Sequence, residues 1–155
     1  MKKFNGCPGM REIDMRDKKS EGEVSGKVPS QLRQWPIQLH LVNPVAPYYQ
    51  GADVILTADC VSYAYGNFHN DFLKGKSIAI ACPKLDVDQE TYVEKIKSLI
   101  EDAKINTLQV LIMEVPCCMG LYNIASSALN SSKRKVPIKL TVFGINGEIK
   151  SDEWM

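Results

Sequence analysis

The stretch Leu108-Gln109-Val110-Leu111-Ile112-Met113 is apolar at nearly every position and runs straight into Glu114-Val115-Pro116-Cys117-Cys118-Met119-Gly120. A continuous apolar run, rather than an alternating one, marks a strand covered on both faces, and such strands belong to parallel sheets flanked by helices. Two further runs, Val54-Ile55-Leu56-Thr57-Ala58 and Ser77-Ile78-Ala79-Ile80-Ala81, end alike in cysteine, at Cys60 and Cys82. In open sheets of this kind ligands sit at the carboxyl ends of the strands. If the three strands are neighbours, four thiols crowd one edge of one sheet.

The intervening segments predict the rest of an α/β domain. Tyr63 to Leu73 reads as a helix with Phe68 and Phe72 on one face, ended by Gly75. Tyr92, Val93, Ile96, Leu99, Ile100 and Ala103 follow helical spacing over about Gln89 to Lys104, with Asp86 or Asp88 as the cap. A helix with small residues follows from about Met119 to Leu129, then a strand over Ile138 to Gly144. Upstream, Ile37 to Val42 alternates and suits a first strand that contains His40, broken by Asn43-Pro44. Residues after Asn146-Gly147 read as a turn and a loose end. Strand and helix alternation implies right-handed crossovers, hence a single three-layer α/β domain with a mainly parallel sheet of about five strands over residues 28–155. Residues 1–27 carry turn chemistry at Cys7-Pro8-Gly9 and a charged stretch from Lys18 to Lys27, and are expected to form a flexible N-terminal arm.

At 155 residues the chain is long enough for one domain with a real core. A net charge of +1 gives no electrostatic reason to expect nucleic acid or an acidic membrane as partner. No apolar run is long enough to span a bilayer, and no signal-peptide core follows the first lysines, so a cytoplasmic protein is expected. The five cysteines then point to metal or redox chemistry instead of a disulfide frame.

Cys60, Cys82, Cys117 and Cys118 supply four soft ligands, which select zinc, copper(I) or iron–sulfur clusters over hard cations. Tetrahedral zinc and a cubane cluster each take four ligands. Adjacent residues on an extended strand face apart, so Cys117 and Cys118 serve one centre only if the turn at Pro116 rotates one of them back. Backbone N–H groups at the helix start after Met119-Gly120 would lower a thiol pKa there. Asp59 and Lys84 are candidates to support the thiolates, Asp59 by a hydrogen bond and Lys84 by its charge. His69 could act as a ligand or proton carrier, and Cys7 as a further ligand from the arm or an exposed thiol. No G-x-G-x-x-G, Walker A or G-x-S-x-G motif is present.

Gln34-Trp35-Pro36-Ile37-Gln38-Leu39, Ala58-Asp59-Cys60, Ala64-Tyr65-Gly66-Asn67-Phe68-His69, Cys82-Pro83-Lys84-Leu85-Asp86 and Met113-Glu114-Val115-Pro116-Cys117-Cys118 together resemble the C-terminal region of iron–sulfur-binding, ferredoxin-like proteins of anaerobes. Longer members place a two-cluster ferredoxin module before the Cys-Pro-Gly segment. Here there is no C-x-x-C-x-x-C run. The resemblance implies an iron–sulfur cluster, or zinc in its place, held by Cys60, Cys82, Cys117 and Cys118 and serving electron transfer to a ferredoxin or other redox partner. Two other functions fit the residues. One is a thiol enzyme with Cys117 or Cys118 as nucleophile and His69 as base. The other is a non-catalytic module that docks on a ferredoxin or oxidoreductase subunit.

Overall fold

The computed structural model describes residues 12–14, 16–17 and 26–155. A two-stranded antiparallel pair, β1 (Ile13–Asp14) and β2 (Gln34–Trp35), precedes the main domain. The elements that follow are β3 (Asp53–Ala58), α1 (Val61–Ala64), β4 (Ser77–Ala81), α2 (Gln89–Glu101), β5 (Thr107–Met113), α3 (Met119–Ser131), β6 (Ile138–Phe143) and β7 (Ile149–Trp154). The five-stranded sheet has the order β4-β3-β5-β6-β7; its first four strands are parallel and β7 is antiparallel to β6. Among the described residues no helix is long and apolar enough to cross a membrane.

This order fixes where the chain turns back. From β3 it steps outward to β4, then crosses over β3 to reach β5 and continues to β6. Right-handed crossovers place the two connections that run the same way, α2 and α3, on one face, and the β3–β4 connection on the other. α2 and α3 pack against each other. α2 buries Tyr92, Ile96, Leu99 and Ile100, each worth about 1.5–3 kcal/mol of apolar burial. α3 buries Leu121, Ile124, Ala125 and Ala128, whose alanines let the helix approach closely. On the opposite face, Ile55 and Thr57 stand level with Ile78 and Ile80 of β4 and with Gln109 and Leu111 of β5. The three apolar runs become β3, β4 and β5, as their composition dictates, and their interior positions are buried except for the half-buried Ile80.

Several sequence expectations need correction. Ile37 to Val42 is not a strand. The segment makes a single parallel bridge to the sheet, Gln38 opposite Ile80, with Leu39 N–H donating to the Ile80 carbonyl (2.9 Å) and Ile80 N–H to the Ile37 carbonyl (2.8 Å). It covers the free edge of β4, then turns at residues 39–41, so His40 is an exposed turn residue whose Nε2 faces the Val87 carbonyl (2.9 Å). The Lys95 ammonium donates to the carbonyls of Leu39, His40 and Val42, which fixes that turn. The helix expected over Tyr63 to Leu73 is divided: α1 stops at Ala64, Tyr65-Gly66-Asn67 interrupts it, and a π-helical turn spans His69–Leu73. Phe68 and Phe72 do stack there, with ring centroids 6.2 Å apart. The tail is not loose, because Ile149–Trp154 completes the sheet as β7. α2 ends at Glu101, ahead of Ala103 and Lys104. Cys7 and most of the expected N-terminal arm lie outside the described residues, and Ile13–Asp14 within that arm pairs with Gln34–Trp35.

Candidate functional site: thiols at three strand ends

Each thiol is set in place by the step that ends its strand. Asp59 N–H donates to the Ala81 carbonyl (3.2 Å), which extends the β3–β4 ladder by one residue, and Cys60 is the next residue, exposed at the start of α1. Cys82 follows β4 and is half-buried. Its N–H donates to Asp86 Oδ2 (2.9 Å), while Asp86 N–H donates back to the Cys82 carbonyl (2.9 Å). The Tyr92 hydroxyl donates to that same carboxylate. Asp86 thus closes the loop after β4, while Asp88 takes the helix N-cap position with its backbone in the left-handed region (φ 57°). Asp88 accepts from the Thr91 hydroxyl (2.6 Å), and no backbone N–H is capped by its side chain. Lys84 stands exposed on the loop between Cys82 and Asp86.

After β5 the chain is pinned to β6 by Glu114 N–H, which donates to the Phe143 carbonyl (2.8 Å). Pro116–Cys118 then forms a tight helical turn that leads into α3. Cys117 and Cys118 therefore lie on a helical turn, where neighbours no longer point to opposite sides as on a strand. Cys117 is exposed and Cys118 is buried. Gly120 packs on the loop after β4: a Cβ at that position would lie 3.1 Å from Pro83 Cβ. The loops after β4 and β5 thus meet across the end of β3.

The electrostatics distinguish the thiols. Burial pushes the Cys118 thiol up, and its Cys117 and Cys60 neighbours add to the shift; a backbone hydrogen bond at Met113 opposes it. The helix start was expected to lower a thiol pKa here, but for Cys118 desolvation wins. A protonated, buried thiol is a weak nucleophile. All four cysteines at the strand ends are free. Among the described residues no three Cys, His, Asp or Glu side chains already stand in a coordinating arrangement. The four cysteines follow three strands at one edge of the sheet.

Two other predicted residues line a cavity of about 470 Å³ on the β3–β4 face, away from α2 and α3. Asp59 is one of its lining residues; burial and the neighbouring Asp86 charge both raise its pKa. His69 also lines it, and its Nδ1 accepts from Gln31 N–H (3.0 Å), which in the neutral ring places the proton on Nε2. Sequence reasoning missed the cavity because it needs Leu32 and Ile37 from upstream to close over strand residues. Asp59, an acid at the end of an apolar strand, is the one local signal that marks it.

A family model described as a Rossmann-like domain matches residues 46–155. An uncharacterized protein of Archaeoglobus fulgidus is 29% identical over 122 residues, covering 77% of this chain and 84% of that protein. No solved structure matches the chain.

Proposed function

The chain belongs to the Rossmann-like domain family, and from that premise we propose that it is a thiolate metalloprotein, binding an iron–sulfur cluster, with zinc as the alternative, for redox work at the strand ends. The observation that carries this reading is the position of the thiols. Cys60 ends β3 and Cys117-Cys118 ends β5, the two neighbouring strands between which the strand order reverses. That crevice is where sheets of this architecture bind their ligands. Cys82 follows β4, the next strand out, and its loop touches α3 at Gly120, two residues after Cys118.

The donor chemistry fits a soft ion. Four cysteines and no lysine-rich or glycine-rich phosphate cradle favour thiolate ligation over nucleotide binding. A cluster held there supplies one-electron chemistry. Cys60 and Cys117 are exposed, so the centre would lie at the surface, within reach of a docked redox partner or ferredoxin. Tyr63, Leu85, Val115 and Met119 are exposed on the loops and helix starts that follow the same strands and give such a partner an apolar rim. The raised pKa of Cys118 favours this reading over Cys118 as a nucleophile, because a bound metal deprotonates a thiol outright.

Purification without oxygen, followed by visible spectroscopy and iron, sulfide and zinc analysis, tests the proposal. The expected result is a brown protein with iron and acid-labile sulfide in equal amounts, or a colourless one with stoichiometric zinc. Cys60→Ser and Cys117→Ser should each lower the loading. A protein that stays metal-free after reconstitution with iron, sulfide or zinc overturns the reading.

A further inference from the structure

We propose that the cavity on the β3–β4 face is a binding site for a small apolar molecule bearing one cationic nitrogen, with Asp59 as the partner of that nitrogen. The cavity, about 470 Å³, falls within the range of small-molecule sites. Its walls are apolar: Ile78 and Ile80 from β4, Phe68 and Leu73 from the π-helical turn, and Leu32 and Ile37 from the segment that covers the sheet edge. Such walls hold a hydrocarbon or aromatic body and give it no orientation. Orientation comes from the few polar groups.

Among the described residues Asp59 is the only carboxylate that lines the cavity, and no lysine or arginine lines it. Asp59 Oδ1 is shielded from solvent and has no hydrogen-bond partner among the described residues. A buried carboxylate oxygen without a donor is costly, and a native site that keeps one is a candidate for a ligand's donor. A cationic group at Asp59 supplies a donor to that carboxylate, whereas an anionic ligand of the same shape supplies none. Tyr63 and Phe68 supply aromatic surface at the same site, which also favours a cation. His69 also lines the cavity, and in the neutral ring its Nε2 carries the proton and can donate to an oxygen on the ligand body.

None of the four strand-end cysteines lines the cavity, although Asp59 adjoins Cys60 in the chain. Its test uses two probes of matched shape and opposite charge, 2-phenylethylamine and 3-phenylpropionate, titrated into the full chain and followed by amide chemical shifts. The amine should shift the amides of Thr57, Asp59, Phe68, His69 and Ile80. It should bind about tenfold more tightly than the acid, the size expected for one charge-assisted hydrogen bond. In Asp59→Asn, with its spectrum showing an intact fold, that preference should collapse. Equal binding of both probes to the unaltered protein overturns the charge assignment. Shifts clustered elsewhere, or none at millimolar amine, overturn the site. Retention of amine binding in Cys60→Ser and Cys117→Ser separates this outcome from that of the metal reading.

Discussion

Gln34 pairs with the backbone of Ile78 as though it were another strand residue. Ile78 N–H donates to Gln34 Oε1 (2.8 Å), and Gln34 Nε2 donates to the Ile78 carbonyl (2.8 Å). The same amide also donates to the Tyr49 hydroxyl (2.9 Å), which in turn donates to the Ile78 carbonyl (2.8 Å). Gln34 is fully buried. One side chain thus satisfies the outer edge of β4 just where the Ile37–Leu39 segment has not yet joined it. Gln34→Leu keeps most of the volume but leaves the Ile78 N–H buried without its acceptor. The expected loss is about 2–4 kcal/mol, the cost of orphaned buried groups together with the bonds removed. Urea denaturation of the variant checks it; a loss below about 0.5 kcal/mol, the range of ordinary surface changes, would show that the edge does not depend on this amide.

Exposure and burial predict the order in which the thiols react. Cys60 and Cys117 are exposed, whereas Cys118 is 7% exposed and its thiol is held protonated by burial. The thiolate is the reacting species, so a raised pKa leaves less of it at neutral pH. In the metal-free protein, iodoacetamide should modify Cys60 and Cys117 first and Cys118 last, with the Cys118 rate still rising with pH above the ordinary thiol range. Time-resolved peptide mass spectrometry reads this order directly. The same sign governs metal uptake: each bound ion must displace the Cys118 proton, so zinc affinity should rise with pH and proton release should accompany binding.

The β6–β7 turn docks on α1 through Gly147. Its backbone has φ +88°, and a Cβ there would come within 2.6 Å of the Ala64 carbonyl oxygen. Gly147→Ala therefore meets both a left-handed backbone and a backbone clash that no side-chain rotation relieves. The expected destabilisation is about 2–4 kcal/mol. The damage should be local, with hydrogen exchange accelerated in Ile149–Trp154 and α1 before the parallel strands. Gly66→Ala makes the control, since nothing lies within 4 Å of its Cβ position and its φ is ordinary.

What the sequence reveals depends on whether the forces are local. β3, β4 and β5 are legible because each carries its own apolar run, and the cysteines that follow them inherit that certainty of place; β6 is legible from its alternating apolar residues. β7 is not legible: Ile149-Lys150-Ser151-Asp152-Glu153-Trp154 has no buried residue. It is held by backbone pairing to β6, by the Thr141 hydroxyl donating to Asp152 (2.7 Å), and by the Lys139–Asp152 ion pair (2.6 Å). Ile37 to Val42 carries strand-like alternation but supplies one bridge, because its apolar residues cover an edge and wall a cavity. The cavity is the least legible feature, since residues 30–38 and 57–80 must meet before it exists.

The Asp59 carboxylate makes the most pointed case for a residue kept for use. Its pKa lies above the usual 3.8, from burial first and from Asp86 second. A carboxyl group whose folded pKa exceeds its unfolded value binds protons more tightly in the native state. Stability from this group therefore falls as pH rises from about the unfolded value through the raised folded value, and the full penalty persists at neutral pH. Asp59→Asn removes the charge while preserving size. The variant should melt higher than the unaltered protein at pH 7, and the gap should close as pH falls below 3.8, where the carboxyl is neutral in both states. Thermal melts of the two proteins across that pH range decide the matter. A variant less stable at pH 7 would mean that the carboxylate already has a stabilising partner within the fold. A variant more stable at pH 7 and unable to discriminate 2-phenylethylamine from 3-phenylpropionate would show a charge retained at the expense of stability, the pattern expected of a binding residue.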